Sequence, residues 1–246
     1  MGYLTSQILS KKSQLTQKFI HGFCDKECGM NETKIAQTLD CEGFSVVRVD
    51  QQHTNQPIWV DELRNANMAG DAIVTQTPCL LLCIKTADCI PILIYDENSN
   101  MVAAIHAGWK GLCYGIIENT VAMMIGRKAN PVNMVAAIGP CIQKESFEVD
   151  QNVVNQFQGY EDYFYPQKEQ QEKNQKGMVK FLGDLPQIAK MKMHALGIHN
   201  IDILNVDTYQ DERFFSFRKA THQGFEEKGR QMSCIGLNQI SGNSFV

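Results

Sequence analysis

Cys89 and His106 are the side chains in the middle of the chain best suited to metal or nucleophilic chemistry, the first in Lys85-Thr86-Ala87-Asp88-Cys89 and the second just ahead of Gly108-Trp109-Lys110-Gly111. Ile90 to Tyr95 and Met101 to Ile105 are short, β-rich apolar runs separated by the turn-forming DENSN, a pattern that predicts an antiparallel hairpin. With the turn centred so that Cys89 lies directly across from His106, both side chains leave one face with Cβ atoms ~5 Å apart. A thiolate and an imidazole at that separation bind one transition metal together, or act as a nucleophile and base pair. A slip of one residue would send them to opposite faces. Asp88 and Lys85 add charge between two very apolar runs, where burial is costly unless the charge is paired. TADC therefore reads as part of a site, against the plainer reading of an Asp capping a turn beside a buried cysteine.

The residues after His106 fit the same picture. The glycines of Gly108-Trp109-Lys110-Gly111 permit close backbone approach, Trp109 offers a stacking face, and a helix starting there would present N–H groups to an anion such as phosphate. His53, in Gln51-Gln52-His53-Thr54, follows the strand-like Ser45 to Val49 and occupies a polar turn. His21, His194, His199 and His222 sit in settings where solvated or capping roles are the expectation. Of the nine cysteines, Cys89 and Cys141 are flanked by charge or by a Gly-Pro turn. Cys79 and Cys83 lie in an apolar run and read as buried small hydrophobes. Cys24 and Cys28, spaced C-x3-C with no second pair, make a poor structural zinc site.

The elements that must position these side chains follow from periodicity. From Cys113, apolar Ile116, Ile117, Val121 and Met124 recur at helical spacing up to Gly126. Met134 to Ile138 then reads as a strand. The string VAAI occurs at Val102 to Ile105 and again at Val135 to Ile138, with this helix between, the layout of a βαβ crossover. A right-handed crossover makes the two strands parallel, so His106 and Gly139-Pro140-Cys141 share one sheet edge. Asp184 caps a helix carrying Leu185, Ile188, Ala189, Met193 and Leu196 on one face and ending at Gly197. A strand over Ile201 to Val206 follows. The polar segment Gln167 to Gly177 reads as a surface loop. The fold class expected is α/β to α+β, a mixed β-sheet core covered by helices. No Pro/Gly/Ser linker divides the chain, so residues 1–246 are expected to form one domain, with the first ~15 residues peripheral.

Composition narrows the function classes. The 246 residues carry 23 basic and 27 acidic side chains, a formal charge of −4, with 43% apolar and 20% charged positions. That is an ordinary globular composition. It offers no broad field for nucleic acid or anionic lipid. No apolar stretch reaches the ~20 residues of a bilayer crossing, because Cys79 to Tyr95 is broken by Lys85, Asp88 and Pro91. The N-terminus is too polar for a signal peptide, its Gly2/Ser6 resemblance to an acylation pattern is read as chance, and an odd cysteine count implies free thiols. Cytoplasmic location is the expectation, with no nucleic acid, membrane or readable protein partner.

Six segments in order complete the reading: QQHTNQ at His53, KTADCIPIL at Cys89, AAIHAGWKG at His106, AAIGPCI at Cys141, FFSFRK at Arg218 and GRQ at Arg230. Together they resemble the YfiH-type laccase-domain family, also described as polyphenol oxidase-like or peptidoglycan editing factor proteins. The resemblance covers roughly residues 20 to 240, and six ordered motifs are a specific signal. It implies a CNF/YfiH-like cysteine hydrolase fold and a metal site of His53, Cys89 and His106. It further implies a zinc-dependent purine nucleoside enzyme, with phosphorolysis of adenosine, inosine, guanosine or methylthioadenosine, and adenosine deamination. The partners implied are a purine nucleoside and phosphate. This chain lacks the family's TR-x-G-G and SLN segments, has Asp207-Thr208 where Cys-Thr is usual, and carries Lys110 in place of Arg.

Three ligands leave one position of a tetrahedral zinc open, as catalytic zinc sites do. Cys89, His106 and Asp88 are the catalytic candidates, with Asp88 for proton transfer, since the H-x-E and P-C-x-x-C deaminase pattern is absent. Lys110, Arg218 and Arg230 are the cations for phosphate, and Trp109 the stacking surface. Three alternatives remain open: a cysteine-dependent hydrolase of peptidoglycan precursors using Cys89 and His106, a copper-dependent polyphenol oxidase, and a non-catalytic binding protein that retains a metal. One His2Cys set lacks the ligands for several coppers.

Overall fold

The computed structural model describes residues 2–62, 68–167 and 179–239. Among these, strands run over Tyr3–Leu4 (β1), Phe19–Cys24 (β2), Ser45–Val47 (β3), Pro57–Trp59 (β4), Ala72–Thr75 (β5), Leu80–Thr86 (β6), Ile90–Asp96 (β7) and Met101–Ala107 (β8). They continue with Met134–Ile138 (β9), Glu148–Asp150 (β10), Phe164–Pro166 (β11), Lys180–Gly183 (β12), Asn200–Ile203 (β13) and Gln231–Leu237 (β14). Helices cover Gln7–Thr16 (α1), Glu32–Thr38 (α2), Trp109–Cys113 (α3), Ile116–Ile125 (α4), Gln151–Val154 (α5), Leu185–Ala195 (α6) and Phe217–Gln223 (α7). Apart from Gln167, the expected polar loop lies almost wholly outside the described residues.

A six-stranded mixed sheet, β13-β9-β7-β8-β5-β4, packs against a five-stranded one, β1-β2-β14-β6-β3. Every residue of β7, β8 and β9 is buried. This explains why these strands read as continuous apolar runs: both faces are covered. Leu93 and Tyr95 point between the sheets with Val102, Ala104, Leu82 and Ile235, and Tyr95 stacks on Phe19 at 4.1 Å. Ile92 and Ile94 point the other way, onto Ile116, Val121, Ile188 and Met193 of α4 and α6. The outer face of the five-stranded sheet is covered by Ile35 and Leu39. A mixed α/β fold in layers results, as the sequence pattern implied.

The hairpin is present, with its register displaced from the expected one. Pro91, not Cys89, faces His106, and Asp96 pairs with Met101, so the strands extend further into the turn than DENSN suggested. The displacement is two residues. Because side chains alternate with period two, Cys89 and His106 remain on the same face as diagonal neighbours.

The two VAAI segments are parallel, as expected, and are not adjacent: β7 lies between them, antiparallel to both. Their registers match, since Val102 and Val135 both face Tyr95, and Ile105 and Ile138 both face Ile92. The small alanines at 103, 104, 136 and 137 therefore flank the bulkier Ile94 and Leu93 from both sides. His106 and Gly139 accordingly emerge at one edge on either side of Pro91: His106 is its register partner, with its own N–H donated to the Asp71 carbonyl, and the Gly139 N–H donates to the Pro91 carbonyl.

Asp184 caps α6 by accepting the Gln187 N–H at 3.2 Å, and Gly197 ends it at φ +88°. The following strand stops at Ile203 rather than Val206, because Asn205 turns the chain at φ +52°. The N-terminal residues, expected to be peripheral, supply β1 and α1: Leu9 is fully buried and Ser6 Oγ donates to Asp202. Cys79, expected inside, occupies a turn at φ +59° and is half-buried.

Candidate metal centre

The sheet edge at the ends of β6 and β8 assembles three ligands from three segments. His106 closes β8 and is buried. Cys89 sits in the tight link between β6 and β7, immediately after Asp88, which adopts φ +93°. His53 lies in the loop beyond β3 at φ +59° and is exposed. A positive φ at a residue other than glycine stores strain, and here two such residues adjoin or form the ligand set. His53 Nε2 is 3.8 Å from Cys89 Sγ, and the His53 and His106 rings meet edge to face at 4.9 Å. One ligand atom from each of the three residues lies within 4.8 Å of the others.

Neighbouring residues hold this geometry. Buried Asp71 accepts from His106 Nδ1 at 2.8 Å and from the His53 backbone N–H at 3.0 Å. Gln51 makes a two-point pairing with the Lys85 backbone, donating to its carbonyl and accepting from its N–H, both at 2.8 Å, which ties the His53 loop to β6. A Cβ on Gly108 would stand 2.8 Å from the His53 ring and 3.2 Å from Cys89 Sγ, and one on Gly111 would stand 2.7 Å from the Thr54 carbonyl. Only glycine at both positions lets α3 lie against the ligand loop. Asp71 and Gln51 escaped the sequence reading. The visible signal for Asp71 was an acid directly ahead of the apolar run Ala72–Thr75, and that for Gln51 was its place in the QQHTNQ segment.

Electrostatics separates Cys89 from the other thiols. Burial alone would push its thiol up, but His106 and His53 beside it prevail and bring it down to about 6. Burial likewise opposes charge on His106, and the Cys89 sulfur and the Asp71 carboxylate overcome it, raising the imidazole to about 9. Cys141 behaves in the opposite way. It is fully buried, its thiol is raised by burial and by Asp207, and its sulfur accepts from Gln143, so it is an inert core thiol. Cys24 and Cys28 pack in a buried apolar cluster with Cys41, Cys83 and Cys234.

A cavity of about 790 Å³ opens over the triad, and its lining includes Lys85, Asp88, Trp109, Arg218, Lys228 and Arg230. Asp88 Oδ1 accepts from Thr208 Oγ1 at 2.8 Å and Oδ2 from the Arg218 backbone N–H at 2.6 Å, so this carboxylate ties Cys89 to the start of α7. Burial raises its pKa against those hydrogen bonds. The Arg218 guanidinium stands over the Phe147 ring at 5.5 Å and donates to the Glu148 carbonyl. Arg230 donates to the Glu227 and Gly229 carbonyls. Lys110 is exposed on α3, its amine over the Trp109 ring at 5.6 Å, and it does not contribute to the lining. The structure thus brings together His53, Cys89, His106, Asp88, Trp109, Arg218 and Arg230, adds Lys85 and Lys228, and leaves Lys110 outside.

The donor set fits a transition metal. Two imidazoles and a thiolate are the ligands zinc favours, and tetrahedral zinc places such donors about 3.3 to 3.6 Å apart. The 3.8 Å separation of Cys89 and His53 needs a few tenths of an ångström of closure. Among the described residues no other group of His, Cys, Asp and Glu converges in this way.

The chain is similar to known proteins over most of its length. Residues 24–238 match the sequence model of a family described as multi-copper polyphenol oxidoreductase laccase. The chain is 32% identical over 200 residues to a purine nucleoside phosphorylase of Haemophilus influenzae, covering 78% of each, and 32% identical over 195 residues to the purine nucleoside phosphorylase YfiH of Escherichia coli, covering 74% of each. A Bacillus licheniformis YfiH crystal structure superposes with a TM-score of 0.78 at 27% identity over 89% of this chain and 93% of that one. A Neisseria meningitidis protein gives 0.80 at 25% identity over 97% and 100%. No helix among the described residues is long and apolar enough to cross a membrane. With the match spanning nearly the whole chain and the His2Cys cluster at its centre, the protein belongs to the YfiH-type laccase-domain family.

Proposed function

We propose that the chain is a metal-dependent purine nucleoside phosphorylase, converting inosine, adenosine or guanosine plus phosphate into free base and ribose 1-phosphate, and methylthioadenosine plus phosphate into adenine and methylthioribose 1-phosphate. The observation that carries this reading is the placement of the His53–Cys89–His106 cluster in the wall of a cavity whose other charged residues are three cations beyond Lys85 and a single carboxylate. The relatives named as purine nucleoside phosphorylases supply the reaction class.

His53, Cys89 and His106 would hold the ion, with zinc favoured by the donor set and copper the alternative. A zinc ion in such a site supplies Lewis acidity toward a substrate oxygen or nitrogen. Phosphorolysis forms a bond from phosphate oxygen to the anomeric carbon as the bond from that carbon to the purine nitrogen breaks, and the base leaves with the electron pair and needs a proton. Arg218 and Arg230, with Lys85 and Lys228, are the cations for phosphate, and arginine's planar donors suit its oxygens. Trp109, half-buried in the lining, offers a face for the purine. Asp88 is the carboxylate of the lining. Both of its oxygens accept, from Thr208 Oγ1 and the Arg218 N–H, so its role in this reading is to orient the start of the arginine-bearing helix beside Cys89, and its part in any proton transfer to the departing base is what an Asp88→Asn variant would test.

The test is product analysis on the metal-loaded chain. Inosine should yield hypoxanthine and ribose 1-phosphate only when phosphate is present, and adenosine yielding inosine without phosphate would add deamination. Turnover that is indifferent to phosphate and nucleoside would end the proposal.

A second reading draws on the thiolate character of Cys89 beside a charged His106. The same pair suits a cysteine hydrolase acting on peptidoglycan precursors. It is distinguished by metal-free turnover that is destroyed when iodoacetamide alkylates Cys89. Copper-dependent polyphenol oxidation would require further copper ligands, and the described residues hold one such group.

A further inference from the structure

Asp71 lies just ahead of β5 and is fully buried. A carboxylate withdrawn from water is tolerated only when its lone pairs are met by donors. Five meet this one. Oδ1 accepts from His106 Nδ1 at 2.8 Å and from the His53 N–H at 3.0 Å. Oδ2 accepts from the Thr54 N–H at 2.6 Å, from Thr54 Oγ1 at 2.7 Å and from the Gln52 N–H at 3.3 Å. Every one of these contacts is a donor, so both oxygens act as acceptors, as those of a carboxylate do.

Two consequences bear on the ligands. Three successive backbone N–H groups, from residues 52 to 54, wrap around one side chain, and that turn is where His53 takes its φ of +59°. A residue held in this region by external contacts is set in place before any ligand arrives. Meanwhile the Nδ1 proton of His106 is committed to Asp71, so Nε2 is the nitrogen that can turn to a metal, which displaces any proton it carries. The two histidines come from distant segments, and the same carboxylate oxygen receives the ring N–H of His106 and the backbone N–H of His53.

We infer that Asp71 is the positioning residue of the centre: a single buried carboxylate sets both the loop conformation that presents His53 and the tautomer in which His106 offers Nε2 to a metal. The inference rests on the reading of His53, Cys89 and His106 as a metal site. Because all five partners are donors, an amide of identical shape cannot substitute, since its NH2 would face N–H groups whichever way it turned. A residue that merely filled space would tolerate that exchange.

Cobalt(II) titration of the metal-stripped full-length chain tests this, following the thiolate-to-cobalt charge-transfer band and the visible ligand-field bands, with far-ultraviolet circular dichroism to verify folding. Asp71→Asn should remain folded, bind cobalt about 10 to 100-fold more weakly and show altered ligand-field bands. Thr54→Val, which withdraws one donor and touches neither imidazole, should weaken binding by a smaller factor. A folded Asp71→Asn variant with wild-type affinity and wild-type bands would overturn the inference. Should Asp71→Asn fail to fold, Thr54→Val decides it, and wild-type affinity there overturns it equally. A wild-type chain that develops no thiolate-to-cobalt band removes the metal site itself, and this inference with it, a result distinct from binding that survives the loss of Asp71.

Discussion

Cys89, in the link that follows β6, and the Cys83–Cys234 pair, on β6 and β14, have opposite chemistry. Cys83 is in the interior of β6 and faces Cys234 on β14, their sulfurs 2.9 Å apart. Both belong to the cluster with Cys24, Cys28 and Cys41 under α2. Burial raises the thiol of Cys234 well above its ordinary value, and it pushes Cys41 up to about 12. Cys89, half-buried in the cavity wall, is also pushed up by burial and yet ends at about 6, because His106 and His53 lie beside it. Burial therefore sets no thiol's role by itself. The neighbours that share the burial decide whether a cysteine is packing or chemistry.

The comparison can be broken by exchanging what distinguishes the two regions. The largest effect is expected from Cys89→Ala or His106→Ala, which should lower nucleoside turnover by about 10³-fold or more while circular dichroism shows the fold retained, with a lower melting temperature for His106→Ala because Asp71 loses a donor. Retained turnover in either variant would show that the two sulfur environments are functionally equivalent.

A parallel contrast exists between two buried histidines. His106 has a carboxylate partner, whereas His21 accepts the Ser6 N–H on Nε2 at 3.3 Å, and burial holds its pKa at about 4 against 6.5. The neutral form is the folded one, so its contribution is complete above pH 6.5 and is lost as the pH falls towards 4, reaching about 3 kcal/mol at the acid limit. Urea unfolding across that window should show a shallower pH slope in His21→Gln than in wild type. Equal slopes would contradict it.

Gly108→Ala comes next. The added Cβ meets two ligands, and an activity loss of about 10 to 100-fold is expected. Gly43→Ala is the control, since no atom lies within 4 Å of its Cβ position. The smallest effect belongs to the thiol cluster. Cys234→Ala should cost about 1 to 2 kcal/mol in thermal or urea unfolding through lost packing, with turnover unchanged. A turnover loss there matching that of Cys89→Ala would erase the distinction.

Much of this site was legible in the sequence because alternation along a strand is insensitive to even displacements. The expected hairpin placed Cys89 against His106, the observed one places Pro91 there, and the two side chains still share a face. VAAI likewise pointed to two parallel strands ending at one edge, but could not reveal that β7 inserts between them, because nothing local in a strand names its neighbour. Asp71 was missed for the same reason. Its five donors come from a preceding loop and a later strand, and only the folded chain gathers them. Arg218 and Arg230 were recognised through family motifs, whereas Lys228 enters the lining through the path of the chain after α7. Lys110, drawn from a motif, turns outward because helical geometry puts it on the exposed side of α3 while Trp109 faces the cavity.

The most direct test of the central claim, that His53, Cys89 and His106 together hold one catalytic metal, is elemental analysis of the purified chain beside Cys89→Ala, with inosine phosphorolysis measured on the same samples before and after chelation. The account predicts one zinc-type ion per wild-type chain, none in the variant, and phosphate-dependent hypoxanthine that disappears with the metal and returns on reloading. Full phosphorolysis by a chain stripped of metal would contradict it.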